Sequence, residues 1–251
     1  MRHMLARVFA GMFTCLLPFS LSAETWTVES LSEALAARSE EDRARDANRQ
    51  PADVLVAAGI VRGMTVMDLA SSGGWYAEVL SVAVGDEGWV YAQNAPEFLE
   101  WDNRRYDKAI TARLAEGRLA NVQRIDAAIG NTGLEAGSLD AALTALNLHD
   151  YYYLDSEEVA VQFLTGVRNL LKPGGFTVII DHHGAEGADN AALHRMTEDL
   201  ARKVIDSAGL EIIASPQMLR RPDDDRTLMI FEPEIRGKTD RFVLVAARPA
   251  Q

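Results

Sequence analysis

Past residue 64 the chain alternates short apolar runs with stretches whose apolar residues recur at helical spacing, and this alternation constrains the fold more than any other feature. Strand and helix repeated in that order build parallel βαβ units, and hence an α/β sheet. Strands are predicted at residues 65–69, 89–93, 122–126, 139–146 and 176–180. Tyr76, Val79, Leu80 and Ala83 fall at i, i+3, i+4 and i+7 of one helix. Val159, Phe163, Val167, Leu170 and Leu171 line a second, with Asp155 or Ser156 as its N-cap and Lys172-Pro173-Gly174-Gly175 as its stop. Leu193, Met196, Leu200 and Val204 predict a last helix ending at Gly209. The strand-like runs 211–219, 227–231 and 241–247, joined by turns rich in Pro, Asp and Gly, predict a hairpin that closes the sheet with an antiparallel strand.

Residues 1–23 have a different composition. Arg2 and Arg7 mark a basic start, residues 8–19 are nearly all apolar, and Leu21-Ser22-Ala23 ends in a small residue, which together predict a secretory signal peptide cleaved after Ala23. The apolar stretch contains Pro18 and falls short of the roughly 20 residues a spanning helix needs. The expected organisation is therefore a leader at 1–23, a helical segment at 24–60 and one α/β domain at 61–251, in a periplasmic or secreted protein without stable membrane insertion. The only cysteine, Cys15, lies in the leader, so the mature chain has no cysteine nucleophile or thiolate ligand. The formal net charge is −12 over 251 residues, which disfavours nucleic acid as a partner and favours a neutral or cationic small molecule.

The stretch Val66-Met67-Asp68-Leu69-Ala70-Ser71-Ser72-Gly73-Gly74-Trp75 reads as a buried strand, an acid at its carboxyl end, a loop of small residues and a helix. Ligands of open α/β sheets sit outside the carboxyl ends of the strands, and small residues let a backbone approach them. Free N–H groups at the helix start would favour a carboxylate or phosphate, and Asp68 an ammonium, so a zwitterion satisfies both. The glycine spacing is not that of a dinucleotide fingerprint, which disfavours a nicotinamide-dependent oxidoreductase, and no Gly-Lys-Ser or Gly-Lys-Thr is present for a phosphate loop.

The Asp68 to Gly74 loop, Asp126 after the third strand, Leu139-Asp140 opening the fourth and Leu171-Lys172-Pro173-Gly174-Gly175 before the fifth resemble the class I S-adenosylmethionine-dependent methyltransferases. A closer resemblance, to an exported bacterial predicted-methyltransferase group, covers nearly the whole mature chain. It rests on Arg45-Asp46 with Arg49-Gln50-Pro51, Gly73-Gly74-Trp75-Tyr76, Asn147-Leu148-His149-Asp150, Asp181-His182, Leu193-His194-Arg195 and the specific run Ile235-Arg236-Gly237-Lys238-Thr239-Asp240-Arg241-Phe242. The resemblance implies a Rossmann-like seven-stranded, mostly parallel sheet with an antiparallel C-terminal strand, and S-adenosylmethionine in the crevice above Asp68. By position, Asp68 and the backbone of Ala70, Ser72, Gly73 and Gly74 would hold the methionine part, Asn94 the ribose and Asp126 the adenine amino group, with Asn147 also at the cofactor. This chain departs from the family pattern: Ala70 and Ser72 stand where the first two glycines of D-x-G-x-G-x-G are usual, and Asn94 replaces the ribose acid. Those departures keep open a second reading, a catalytically inactive ligand-binding protein of the same fold.

Asn147-Leu148-His149-Asp150 follows the fourth strand, where donor and acceptor would meet. His149 is the expected general base, because its reference pKa lies near neutral, with Asp150 orienting it or binding a cationic group. Trp75, Tyr76 and Tyr151 are candidates for an aromatic cage around a cation, and His182 for a pocket residue at the fifth strand's end. No metal is expected: neighbouring His182 and His183 point to opposite faces of a strand. His194 reads as a surface or capping residue. Arg236, Lys238, Asp240 and Arg241 either flank a solvated turn or fold over the crevice.

Overall fold

The computed structural model describes residues 25–250; the signal peptide expected at 1–23, with Cys15, lies outside the described residues. In chain order the elements are α1 (Val28–Leu35), α2 (Glu40–Arg43), α3 (Asp46–Arg49), α4 (Pro51–Ala58), β1 (Thr65–Leu69), α5 (Trp75–Val84), β2 (Trp89–Asn94), α6 (Pro96–Leu114), β3 (Val122–Asp126), β4 (Leu139–Ala145), α7 (Leu148–Asp150), α8 (Glu157–Leu170), β5 (Leu171–His182), α9 (Asn190–Leu193), α10 (Glu198–Ser207), β6 (Glu211–Ala214) and β7 (Arg241–Ala247). The sheet order is β3-β2-β1-β4-β5-β7-β6. All neighbours from β3 to β5 are parallel, and β7 runs antiparallel to both β5 and β6. The strand order reverses between β1 and β4, which opens the ligand crevice of such sheets at their carboxyl ends.

Each central strand is apolar on both sides, because helices cover both faces. Val66, Val90, Leu143, Val178, Ile180, Val243 and Val245 pack against Leu31, Leu55 and Leu80 of α1, α4 and α5. Met67, Leu69, Ile179, Phe242 and Leu244 pack against Phe163, Val167 and Val204 of α8 and α10. Side chains alternate faces along a strand. Asp68, His182 and Arg241 therefore share the face of Val66, Ile180 and Val243, and Asp181 takes the other. Antiparallel pairing sets His182 opposite Arg241, so the start of the last strand stands beside the end of β5.

Three expectations need correction. The predicted helix through residues 193–204 is two: α9 stops where His194 turns left-handed at φ 53°, Met196 bridges to His183, and Thr197 caps α10 anew. Wholly buried Arg195 sits in that break. Residues 227–231 form no strand, and of 211–219 only Glu211–Ala214 pairs. Helix α6 went unnoticed because its exposed first half lacks an apolar face; it is interrupted by left-handed backbone at Asp102, Asn103 and Arg104.

Candidate active site

A cavity of about 760 Å³ opens at the carboxyl ends of β1 and β4, within the range of small-molecule sites. Asp68, the small-residue loop, Trp75 and Tyr76 form one wall. Leu146, Asn147 and His182 line it from the ends of β4 and β5, and Ile230, Phe231, Arg236 and Arg241 line it from the C-terminal segment. The C-terminal segment thus folds over the crevice. Ala70, Ser72 and Leu146 border this cavity with φ of 48°, 54° and 66°. Left-handed backbone costs a side-chain-bearing residue about 1–2 kcal/mol, and such strain gathers where a ligand is met.

The loop holds its shape through its own amides. Ala70 N–H donates to Gln93 Oε1 (3.1 Å), Ser71 N–H to the Gln93 carbonyl (2.9 Å), Ser72 N–H to Asn94 Oδ1 (2.8 Å) and Gly74 N–H to the Ser71 carbonyl (2.9 Å). The amides of Ala70, Ser72 and Gly74 are therefore spent, contrary to the expectation that they hold a ligand. Gly74 is also outside the cavity lining: at φ 78° it lies under Ile110 and Arg113 of α6, with no room for a Cβ. Asn94 is wholly buried and returns a second hydrogen bond from Nδ2 to the Ser72 carbonyl (3.3 Å), so it buttresses the loop and does not reach the cavity as a ribose ligand would. Asp126 is exposed, bonded to Arg124 at 2.6 Å and away from the cavity, so the adenine role expected of it has no geometric basis.

Asp68 lies at the base of this wall, accepting from Ser71 Oγ at 2.5 Å. Burial raises its carboxyl to about 7, against the lowering effect of the Ser71 and Ala77 hydrogen bonds and of Arg49. Arg49 lies over the Trp75 ring at 4.6 Å and the Tyr76 ring at 5.6 Å. The aromatic pair expected to cage a ligand cation is thus occupied by the protein's own guanidinium. Tyr151 is elsewhere, stacked on Phe163 at 4.1 Å.

Arg49 and Arg241 both line the cavity, and no carboxylate among the described residues is salt-bridged to either. Arg241 donates to the Asn48 carbonyl (3.1 Å), the Gly237 carbonyl (2.9 Å) and Thr239 Oγ1 (3.2 Å). Burial, with Arg49 nearby, lowers it to about 10, still charged at neutral pH.

The two histidines separate by strand parity. His182 faces the cavity with its Nδ1 2.6 Å from Thr239 Oγ1, and burial followed by the charge of Arg241 holds it well below the usual histidine range. His149 lies on the far face, buried, and does not line the cavity. Its Nδ1 meets Asp181 Oδ1 at 2.7 Å and its Nε2 meets Asp150 Oδ1 at 3.2 Å. Burial opposes its charge, yet Asp181 and Asp150 raise it to about 10. A group already protonated and turned away cannot serve as the general base expected of His149, nor can Asp150 beside it touch a substrate there. His194, read as a surface or capping residue, joins this cluster at 3.3 Å from Asp150.

Sequence reasoning overlooked Arg49 and Phe231 as site residues and left Arg241 open between a solvated turn and the crevice, which it lines. Arg49 was visible only as part of a run next to Pro51, and Arg241 becomes legible once the strand containing it is paired with β5.

Solved structures match the chain in shape. A SAM-dependent methyltransferase from Aquifex aeolicus superposes with a TM-score of 0.60 at 19% identity, covering 86% of this chain and 97% of that one. The chain has the class I methyltransferase fold. An S-adenosylmethionine-dependent methyltransferase from Mesorhizobium loti shares that fold at TM-score 0.52 and 18% identity over 82% of this chain and 99% of that one. So does the [4+2]-cyclase SpnF, at 0.59 and 16%, over 86% and 84%. At such identities the likeness is one of methyltransferase fold alone. No protein-family model matches the sequence, and no curated protein matches it.

Proposed function

We propose that this protein is an S-adenosylmethionine-dependent methyltransferase acting on a small molecule. The observation that carries this reading is that Asp68 and Arg49, an acid and a guanidinium stacked over Trp75 and Tyr76, line one cavity. Together they complement an α-ammonium and an α-carboxylate, the two charges at the amino-acid end of S-adenosylmethionine. When bound, that donor supplies an electrophilic methyl group on a sulfonium sulfur. Asn147 and the loop carbonyls border the same space.

The protein's own contribution is to hold the acceptor in line, because most of such a displacement is positioning. His182 is the orienting residue in this reading: neutral and facing the cavity, it can hydrogen-bond the acceptor group, while burial beside Arg241 keeps it from taking up a proton. Arg241 then serves an acidic acceptor, one carrying a carboxylate or phosphate. This reverses the preference drawn from the net charge, since the cavity is cationic where the surface is acidic. Export through the leader at 1–23, with action in the periplasm or outside the cell and no nucleic-acid partner, belongs to the same proposal.

Calorimetric titration of residues 24–251 with S-adenosylmethionine and S-adenosylhomocysteine tests it. Micromolar binding is expected, weakened at least tenfold by Arg49→Met. Asp68 is neutral below its raised pKa and charged above it, so affinity should climb as pH rises from 5.5 through 7, and Asp68→Asn should flatten that climb. A folded protein that binds neither compound overturns the reading. With binding in hand, an acceptor screen in which His182→Ala lowers turnover but not donor affinity supports the orienting role.

A further inference from the structure

On the face of the sheet opposite the cavity, three side chains converge that the proposed transfer does not use. His149, Asp150 and His194 each offer one ligand atom, and the three atoms lie within 4.8 Å of one another. Asp150 Oδ1 stands between the rings, 3.2 Å from His149 Nε2 and 3.3 Å from His194 Nδ1. Nitrogen and oxygen ligands sharing one ion at about 2.0–2.2 Å stand about 3–3.5 Å apart at tetrahedral or octahedral angles. The two spacings already match such a set.

His149 is also held as a ligand needs to be. Its Nδ1 is fixed by Asp181 Oδ1 at 2.7 Å, and its backbone N–H donates to Asp181 Oδ2 at 2.9 Å, with Asp181 wholly buried. A carboxylate on the far nitrogen of an imidazole sets the ring's orientation and raises its basicity at metal centres. The other two side chains are partly exposed, 39% for Asp150 and 31% for His194, which leaves an entry path and room for water ligands.

We propose that His149 Nε2, Asp150 and His194 Nδ1 form a binding site for one divalent first-row transition ion such as Zn²⁺, which displaces the Nε2 proton of His149 to solvent as it binds, with Asp181 positioning His149. Two imidazoles and one carboxylate suit that class of ion, whereas Mg²⁺ and Ca²⁺ require oxygen-rich sets. The sequence pattern pointed away from a metal because it considered neighbours within residues 181–183; these donors come from separate segments that the fold joins. The site lies behind the cavity wall: the His149 ring is 5.9 Å from that of His182, and the His194 ring is 5.3 Å from that of Phe231, both cavity residues. An ion there braces α7 and the end of α9 against that wall.

The test is titration of the chelator-treated, untagged protein with Zn²⁺ by calorimetry and with Co²⁺ by visible absorption. One ion per chain is expected, with d–d bands for Co²⁺ at three protein ligands plus water. His194→Ala and Asp150→Asn, both partly exposed and checked for fold by circular dichroism, should weaken binding at least tenfold. Asp181→Asn should weaken it about 10- to 100-fold. Absence of binding by the folded protein at millimolar metal overturns the proposal, as does binding that His194→Ala leaves unchanged. Neither outcome depends on whether the cavity binds S-adenosylmethionine.

Discussion

The two walls of the cavity are built by opposite means. The loop wall, residues 68–76, is consecutive in sequence, closed by amide hydrogen bonds to Gln93 and Asn94, and strained at Ala70 and Ser72. The strap wall, residues 219–241, has almost no regular structure and is fixed by buried charge. Arg195, wholly buried on the neighbouring segment, meets Asp224 through two bonds of 2.8 and 3.1 Å, and buried Asp240 accepts from Arg220 at 2.9 and 3.0 Å and pairs with Arg226 at 3.0 Å. A strand-to-helix turn can shape itself from local backbone preferences, whereas an irregular strap needs long-range pairs to choose one conformation. The comparison separates what the fold provides from what this chain adds: the loop wall is common ground for a sheet of this topology, and the strap carries Arg236 and Arg241 into the site.

The severest way to break the comparison is on the strap. Asp224→Ala leaves the Arg195 guanidinium buried without a counter-charge, and breaking such a pair costs about 3–5 kcal/mol; a urea midpoint shift much below that would mean the strap is held by packing instead. On the loop wall, Gly74→Ala forces a Cβ into left-handed backbone and against Ile110, with an expected loss of about 2 kcal/mol. An unchanged midpoint there would show that α6 yields. The smallest effect sharpens the strain argument: Ala70→Gly relieves left-handed backbone while loosening the unfolded chain, for a net gain of about 0.5 kcal/mol in stability. A loss would mean that the Ala70 methyl contributes more by packing than its backbone conformation costs.

Much of the fold was legible because its signals are local. All five parallel strands were read near their positions, and so was the antiparallel closing strand from its apolar run at 241–247. The break at His194 was not, since Leu193, Met196, Leu200 and Val204 keep a helical spacing that the buried Arg195 overrides through tertiary charge pairing. In the site, Asp68, Trp75, Tyr76, Asn147 and His182 line the cavity as their positions at strand and helix ends suggested. Asn94, Asp126, His149, Asp150 and Tyr151 do not, because closeness to a strand end does not say which way a side chain points. Parity along β5 separates His182 from Asp181, and with Asp181 goes His149. Arg49 escaped notice, and Arg241 stayed open between turn and crevice, because which cations face a cavity is a property of assembled structure.

The cavity draws on residues as far apart as Glu41 and Arg241, and the latter begins a strand that sits inside the sheet between β5 and β6. Contacts of such sequence separation form late in folding. A ribosome must release β7 before the pocket exists, so a ligand meets only the finished protein.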